Sequence, residues 1–237
     1  MGLFSNLTTD GLEDVKDTLG GGSKRISTGT YLSTIKNAYV TTAKSGAMAV
    51  NFVFDVDGRD LRETIYVTNK DGNNFYVNQN NKKVPLPGFN TVNTICMLTV
   101  EKELSQIATE NKVISIYSFT EKKDVPTEVP VLVDLLGKQL ILAVAHVKKN
   151  KQAKNDAGMW VDTAEVIELN EISHVFHTSG VSLSEAKAKE PATFMKKWEE
   201  LYSGKVIDKT KQVAGGSPSA PATDTASAEK VKNSLFS

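Results

Sequence analysis

Ala47-Met48-Ala49-Val50-Asn51-Phe52-Val53-Phe54-Asp55-Val56, then Asp57-Gly58, then Leu61-Arg62-Glu63-Thr64-Ile65-Tyr66-Val67-Thr68, is the stretch that decides the fold. Val50, Phe52, Phe54 and Val56 recur at every second position, the period of a strand with one buried face. Asp-Gly between two such runs is a hairpin signal, because both residues accept the backbone that a tight turn demands. In the second run Leu61, Ile65 and Val67 share one face, while Arg62, Thr64, Tyr66 and Thr68 share the other. The pair reads as a sheet over an apolar core that presents cations and aromatics outward.

The same punctuation extends both ways. Tyr31 to Val40 reads as a first strand, Asp71-Gly72 as a turn, and Phe75 to Val77 as a short strand before the Asn/Lys turn at 78–83. A helix is expected from Thr91 to Gln106 with Ile95, Cys96 and Leu98 inward. Further strands are expected at Val113–Phe119, Val129–Leu135, Lys138–Val147 and Thr163–Leu169. Ser182 and Glu185 match a capping box, and Pro191 suits a first helical turn. Phe194, Trp198, Leu201 and Tyr202 then recur at helical spacing up to Gly204. Phe52, Phe54, Phe119, Phe194 and Trp198 read as core by periodicity.

The expected class is mainly β with two helices: an OB-like Greek-key β-barrel with an inserted helix, a C-terminal helix and disordered termini. Residues 1–25 read as a flexible arm, polar and ending in Gly20-Gly21-Gly22-Ser23. Residues 26–210 read as the folded domain. Residues 211–237 read as a disordered Ala/Ser/Thr/Pro-rich tail.

The chain has 237 residues, with 28 Lys+Arg balanced by 28 Asp+Glu, so net charge selects no partner. A local basic groove still suffices for an anionic ligand. The lone cysteine, Cys96, cannot form an internal disulfide and reads as a small buried hydrophobe in a reducing compartment. No apolar run approaches the ~18 residues of a membrane span. Met1-Gly2-Leu3-Phe4 lacks the basic start and apolar stretch of a signal peptide. Cytoplasmic residence, in a host cell if the protein is viral, is the expectation.

Catalytic constellations do not assemble. His174 and His177 are three apart in a strand-like run, which turns them to opposite faces. Asp55, Asp57 and Asp60 resemble the start of a calcium loop, but the required downstream Glu and Gly are missing and a hairpin explains them better. Gly20 to Lys24 lacks the flanks of a phosphate loop. No Gly-x-Ser-x-Gly elbow occurs, and Cys96 has no neighbouring base. The reading is a non-enzyme without metal or cofactor.

Binding chemistry is better represented. Basic residues recur on turns and strand faces: Lys36 and Lys44, Arg59 and Arg62, Lys82 and Lys83, Lys122 and Lys123, and Lys148, Lys149, Lys151 and Lys154 in a loop running up to Trp160. Tyr39, Tyr66, Phe75, Tyr76 and Trp160 interleave with them. Cations that track phosphates beside rings that stack on unpaired bases, at roughly 1–3 kcal/mol per base, are what a single strand of nucleic acid requires.

Ser27-Thr28-Gly29-Thr30-Tyr31-Leu32, Ile35-Lys36-Asn37-Ala38-Tyr39 and Ser45-Gly46-Ala47 resemble segments of phage-encoded single-stranded DNA-binding proteins. So do Gly58-Arg59-Asp60, Thr64-Ile65-Tyr66-Val67-Thr68, Leu86-Pro87-Gly88-Phe89, Leu135-Leu136-Gly137-Lys138 and the Phe194–Lys205 helix. The resemblance spans most of residues 27–210. It implies an oligonucleotide-binding barrel, sequence-tolerant coating of single-stranded DNA in phage replication or recombination, and self-association along the strand. It also implies recruitment of replication proteins by the tail. Here that tail holds few acids and closes on Leu235 and Phe236, the candidate partner motif. The competing reading is a phage structural or host-interaction protein that uses the same barrel without nucleic acid.

Overall fold

β2 (Met48–Val56) and β3 (Arg59–Tyr66) form the expected antiparallel hairpin, turning through Asp57 and Gly58 at φ of 50° and 74°. Phe54 stands opposite Leu61 and Val50 opposite Ile65, with the Phe52 and Phe54 rings stacked at 5.1 Å. The structure, a computed structural model, describes residues 25–213 apart from 119 and 157. The readings of residues 1–24, of Phe119, and of the tail from 214 with Leu235 and Phe236 lie outside the described residues. The fold is mainly β, with three α-helices among the described residues rather than two. Those residues divide into two compact units. The larger runs up to His146 and includes Leu169–Val206; the smaller joins Val147–Glu168 to the residues from Ile207.

In the larger unit β1 (Gly29–Thr42) pairs with β2 on one edge and serves two partners on the other. Gly29–Thr34 pair with Gln139–Val144 of β8 (Gln139–Lys154), and Tyr39 pairs with Val131 of β7 (Lys123–Leu132). β7 runs antiparallel to β6 (Thr109–Ser118) over ten pairs. β8 is buried on both faces here, with Leu140, Leu142 and Val144 on one and Ala143 and Ala145 on the other. That is why residues 140–145 are apolar without alternation.

Two short strands, β4 (Phe75–Val77) and β5 (Lys83–Pro85), form a separate hairpin. The helix that follows, α1, spans Pro87–Val100 and buries Val92, Ile95, Cys96 and Leu98. It therefore starts four residues before the expected Thr91, because Pro87 is preorganised for a first helical position. It stops at Glu101 (φ 57°), and only a 3-10 turn at Leu104–Gln106 continues it. Gly88 lets this helix lie on the end of β3: a Cβ there would sit 2.1 Å from the Tyr66 carbonyl oxygen.

β9 (Trp160–Phe176) returns beside β8 and leads into α2 (Leu183–Ala188) and α3 (Phe194–Tyr202). The Ser182–Glu185 capping box forms as expected. Glu185 is buried and reaches further, accepting from the N–H groups of Thr193 (2.9 Å) and Phe194 (2.8 Å). Hydrogen bonds from the Ser182, Thr193 and Phe194 backbone push its carboxyl down to about 2. Pro191 precedes the N-cap Thr193 instead of opening the helix. Trp198 is buried with Phe176 and Ala143 as core. Phe194, expected in the core, is 39% exposed and edge-on to His174 at 5.0 Å.

The smaller unit, the arm, comprises Val147–Lys154 of β8, Trp160–Glu168 of β9 and the residues from Ile207. The expected loop from Lys148 up to Trp160 is thus mostly strand, with the chain turning between Asn155 and Met159. Asn150 is buried and fastens Lys211 to the arm, accepting its N–H at 2.6 Å and donating to its carbonyl at 3.2 Å.

Candidate nucleic-acid interface

On β1–β3 the core residues fix which side chains face out. The register sets Asn37, Val53 and Arg62 in one outward row, Tyr39, Asn51 and Thr64 in the next, and Thr41 and Tyr66 either side of buried Ala49 in a third. Simple alternation would put Lys36 and Tyr39, three apart, on opposite faces. The register shifts between Ile35 and Asn37, however, so that Ile35 pairs with Phe54 and Asn37 with Val53. Ile35 and Ala38 both become buried, and the extra residue of this bulge, Lys36, joins Tyr39 on the outer face. Re-aiming a side chain is a common use of a bulge.

Polar contacts brace the middle of this face. Thr64 donates its hydroxyl to Asn51 Oδ1 at 2.7 Å, and Asn51 Nδ2 donates to Thr41 Oγ1 at 2.8 Å. At one end Asp60 holds Lys36 at 2.7 Å and Arg62 at 3.8 Å. The hydrogen bond to Asp60 raises the Lys36 ammonium above its ordinary value. Burial raises the Tyr39 phenol, with the Arg62 charge pulling the other way. Lys36 and Arg62 remain about half exposed, and Tyr66 is 52% exposed. One acid thus holds two cations in an exposed cluster of the kind worth little in water, so a phosphate can take its place.

Arg59 does not belong with Arg62. Three residues apart on β3, the two take opposite faces, and the Arg59 charge instead acts on Tyr31. Thr68 also departs from the alternation: it is buried, and its hydroxyl accepts from Met48 N at 2.9 Å.

Lys44 lies exposed in the β1–β2 turn. Gly46 (φ 92°) has no room for a side chain there, since a Cβ would lie 2.9 Å from the Lys70 carbonyl oxygen. That contact sets the backbone of exposed Lys70 against the β1–β2 turn, a closeness that the Asp71-Gly72 turn signal does not announce.

The β4–β5 hairpin carries a preformed cation–ring pair, with Lys83 Nζ 4.5 Å from the Phe75 ring centroid. Tyr76, 49% exposed, alternates to the hairpin's other face, and Lys82 is in the turn tied by Asn78 Oδ1. Lys122 and Lys123 stand apart from the β1–β3 face. They occupy the tip of the β6–β7 ribbon, about 27 Å from the Tyr39–Val131 pair at roughly 3.4 Å per residue, and Lys123 pairs with Glu121 at 3.2 Å.

In the arm, alternation splits the lysine cluster. Lys148 and Lys154 share one face with Trp160, and Lys149 and Lys151 take the other. Lys151 is matched by Glu165 at 3.0 Å. Lys154 Nζ lies 5.6 Å over the Trp160 ring, which is 64% exposed.

Among the described residues no three His, Cys, Asp or Glu side chains cluster for a metal. Burial lowers His174, which packs edge-on against Phe194 and Trp198, and pushes the Cys96 thiol up to about 12. Asp55, of the calcium-like triplet, instead accepts the Gly58 N–H at 2.8 Å. No described helix is long and apolar enough to cross a membrane. Comparison with protein-family models and with curated proteins finds no match.

Proposed function

We propose that the chain is a non-catalytic single-stranded DNA-binding protein of phage replication or recombination. The outer face of β1–β3 supplies the principal surface, with Lys36 and Arg62 taking phosphates and Tyr39 and Tyr66 offering rings to unpaired bases. The observation that carries the reading is the bulge at Lys36, which gathers two cations and two aromatics on one braced face. The exposed Lys154–Trp160 pair and the pair of exposed Lys83 with half-buried Phe75 add surfaces of the same chemistry. The strand path is compatible with an OB-like barrel, in that β1 is shared between partners and α1 is inserted between the β4–β5 hairpin and β6. The resemblance to phage single-stranded DNA-binding proteins supports the same function.

Acetylation footprinting with an oligo-dT strand tests this. Lys36 and Lys154 become protected while Lys122 and Lys123 stay reactive; an unchanged pattern, or protection confined to the ribbon tip, defeats the proposal. A second reading, a phage structural or host-interaction protein, draws on the equal counts of basic and acidic residues and on the acids beside Lys36 and Lys151. It predicts no protection by nucleic acid.

A further inference from the structure

The β6–β7 ribbon treats its two edges differently. β7 has Pro126 opposite Ser115 and Pro130 opposite Asn111. Proline has no N–H to give, yet the ladder with β6 continues past both, so their nitrogens face away from β6. On its side away from β6, where Val131 already pairs with Tyr39 of β1, β7 is therefore short of donors at Pro126 and Pro130. β6 has no proline, its ten-pair register has no shift, and no strand lies on its outer side among the described residues. Asn111 and Ser115, opposite the prolines in non-hydrogen-bonded pairs, turn their own backbone groups outward, and alternation makes Val113 between them do the same.

The residues along that edge are complementary to themselves. Folded back about Ser115, Val113 meets Tyr117, Ile114 meets Ile116, and Lys112 meets Ser118, with no like charges opposed. Val113 is 67% exposed, a large apolar side chain presented at an open edge. We propose that β6 pairs antiparallel with β6 of a second copy of this chain, on a two-fold axis through Ser115. Each copy uses the same edge, so the contact closes on itself and yields a dimer rather than a filament. The interface is a single strand pair and small, which makes the dimer concentration-dependent. It needs no nucleic acid and does not depend on the function proposed above.

Cysteine placement tests the register in the full chain without nucleic acid. On the axis, residue 115 meets its own mate at a Cα separation of about 5.5 Å, within disulfide range. Residue 113 lies about 14 Å from its mate, four residues along and one strand across, out of reach. Cys96 is buried and stays silent. Under mild oxidation Ser115→Cys gives a covalent dimer, Val113→Cys does not, and wild-type sedimentation shows a dimer that Val113→Lys abolishes. Far-UV circular dichroism verifies that each variant is folded. The proposal is overturned if the wild type sediments as a monomer, if both cysteine variants cross-link equally, or if Val113→Lys leaves the dimer intact.

Discussion

Arg62→Gln separates a phosphate contact from general surface charge. Arg62 is about half exposed, and its ion-pair partner, Asp60 at 3.8 Å, is already served by Lys36 at 2.7 Å. Losing it should leave thermal stability within about 0.5 kcal/mol of wild type. Its effect on binding follows from counterion release, about 0.7 ions per phosphate contact on a single strand. Scaled by the logarithm of salt, one contact is worth about fourfold in affinity near 0.15 M and about eightfold near 0.05 M. The slope of log K against log salt should fall by about 0.7. Arg59→Gln, on the opposite face of the same strand, is the matched control and should change neither quantity. The assay is anisotropy of a labelled oligo-dT strand across a salt series. Equal losses in the two variants, or an unchanged slope for Arg62→Gln, would refute the assignment of the binding face.

Other outcomes follow from the same geometry. Tyr66→Ala and Trp160→Ala should each weaken binding by about 5- to 150-fold, the worth of one stacked base, with the salt slope unchanged; equilibrium titration reads both. Gly88→Ala forces a Cβ against the Tyr66 carbonyl, an overpacking worth about 1–3 kcal/mol, so the melting temperature should fall by roughly 2–12 °C. Glu185→Gln should melt below wild type at neutral pH. The Glu185 carboxyl is depressed from 4.5 to about 2, so its contribution is complete above pH 4.5 and is lost as pH falls towards 2. The melting gap between the two proteins should therefore close across that window, and a gap that is constant with pH would contradict the assignment.

The features legible in the sequence are the local, repeating ones. The alternation in β2 and β3, the Asp57-Gly58 turn and the Ser182–Glu185 box each rest on neighbours two or three residues apart, and each forms. Features that depend on distant partners are not legible there. The Lys36 bulge is set by how Phe54 and Val53 seat against β1, so nothing in residues 31–40 announces it. The arm reads as a loop because its strands bury little, leaving lysines where apolar alternation would be sought. Grouping basic residues by nearness in sequence also fails where strand geometry decides. Arg59 and Arg62 part company, as do Lys151 and Lys154, because an odd spacing reverses the face. The close approach of Gly46 to the Lys70 carbonyl depends on distant partners in the same way.

The most direct test is titration of wild-type protein against a labelled oligo-dT strand, an RNA strand and a DNA duplex at roughly 50 and 200 mM salt, a range over which phosphate-dominated affinity drops steeply. The account predicts tight binding to the single DNA strand, weakened strongly by salt, and far weaker binding to the duplex. Absence of single-strand binding at the lower salt, or equal affinity for the duplex, would contradict it.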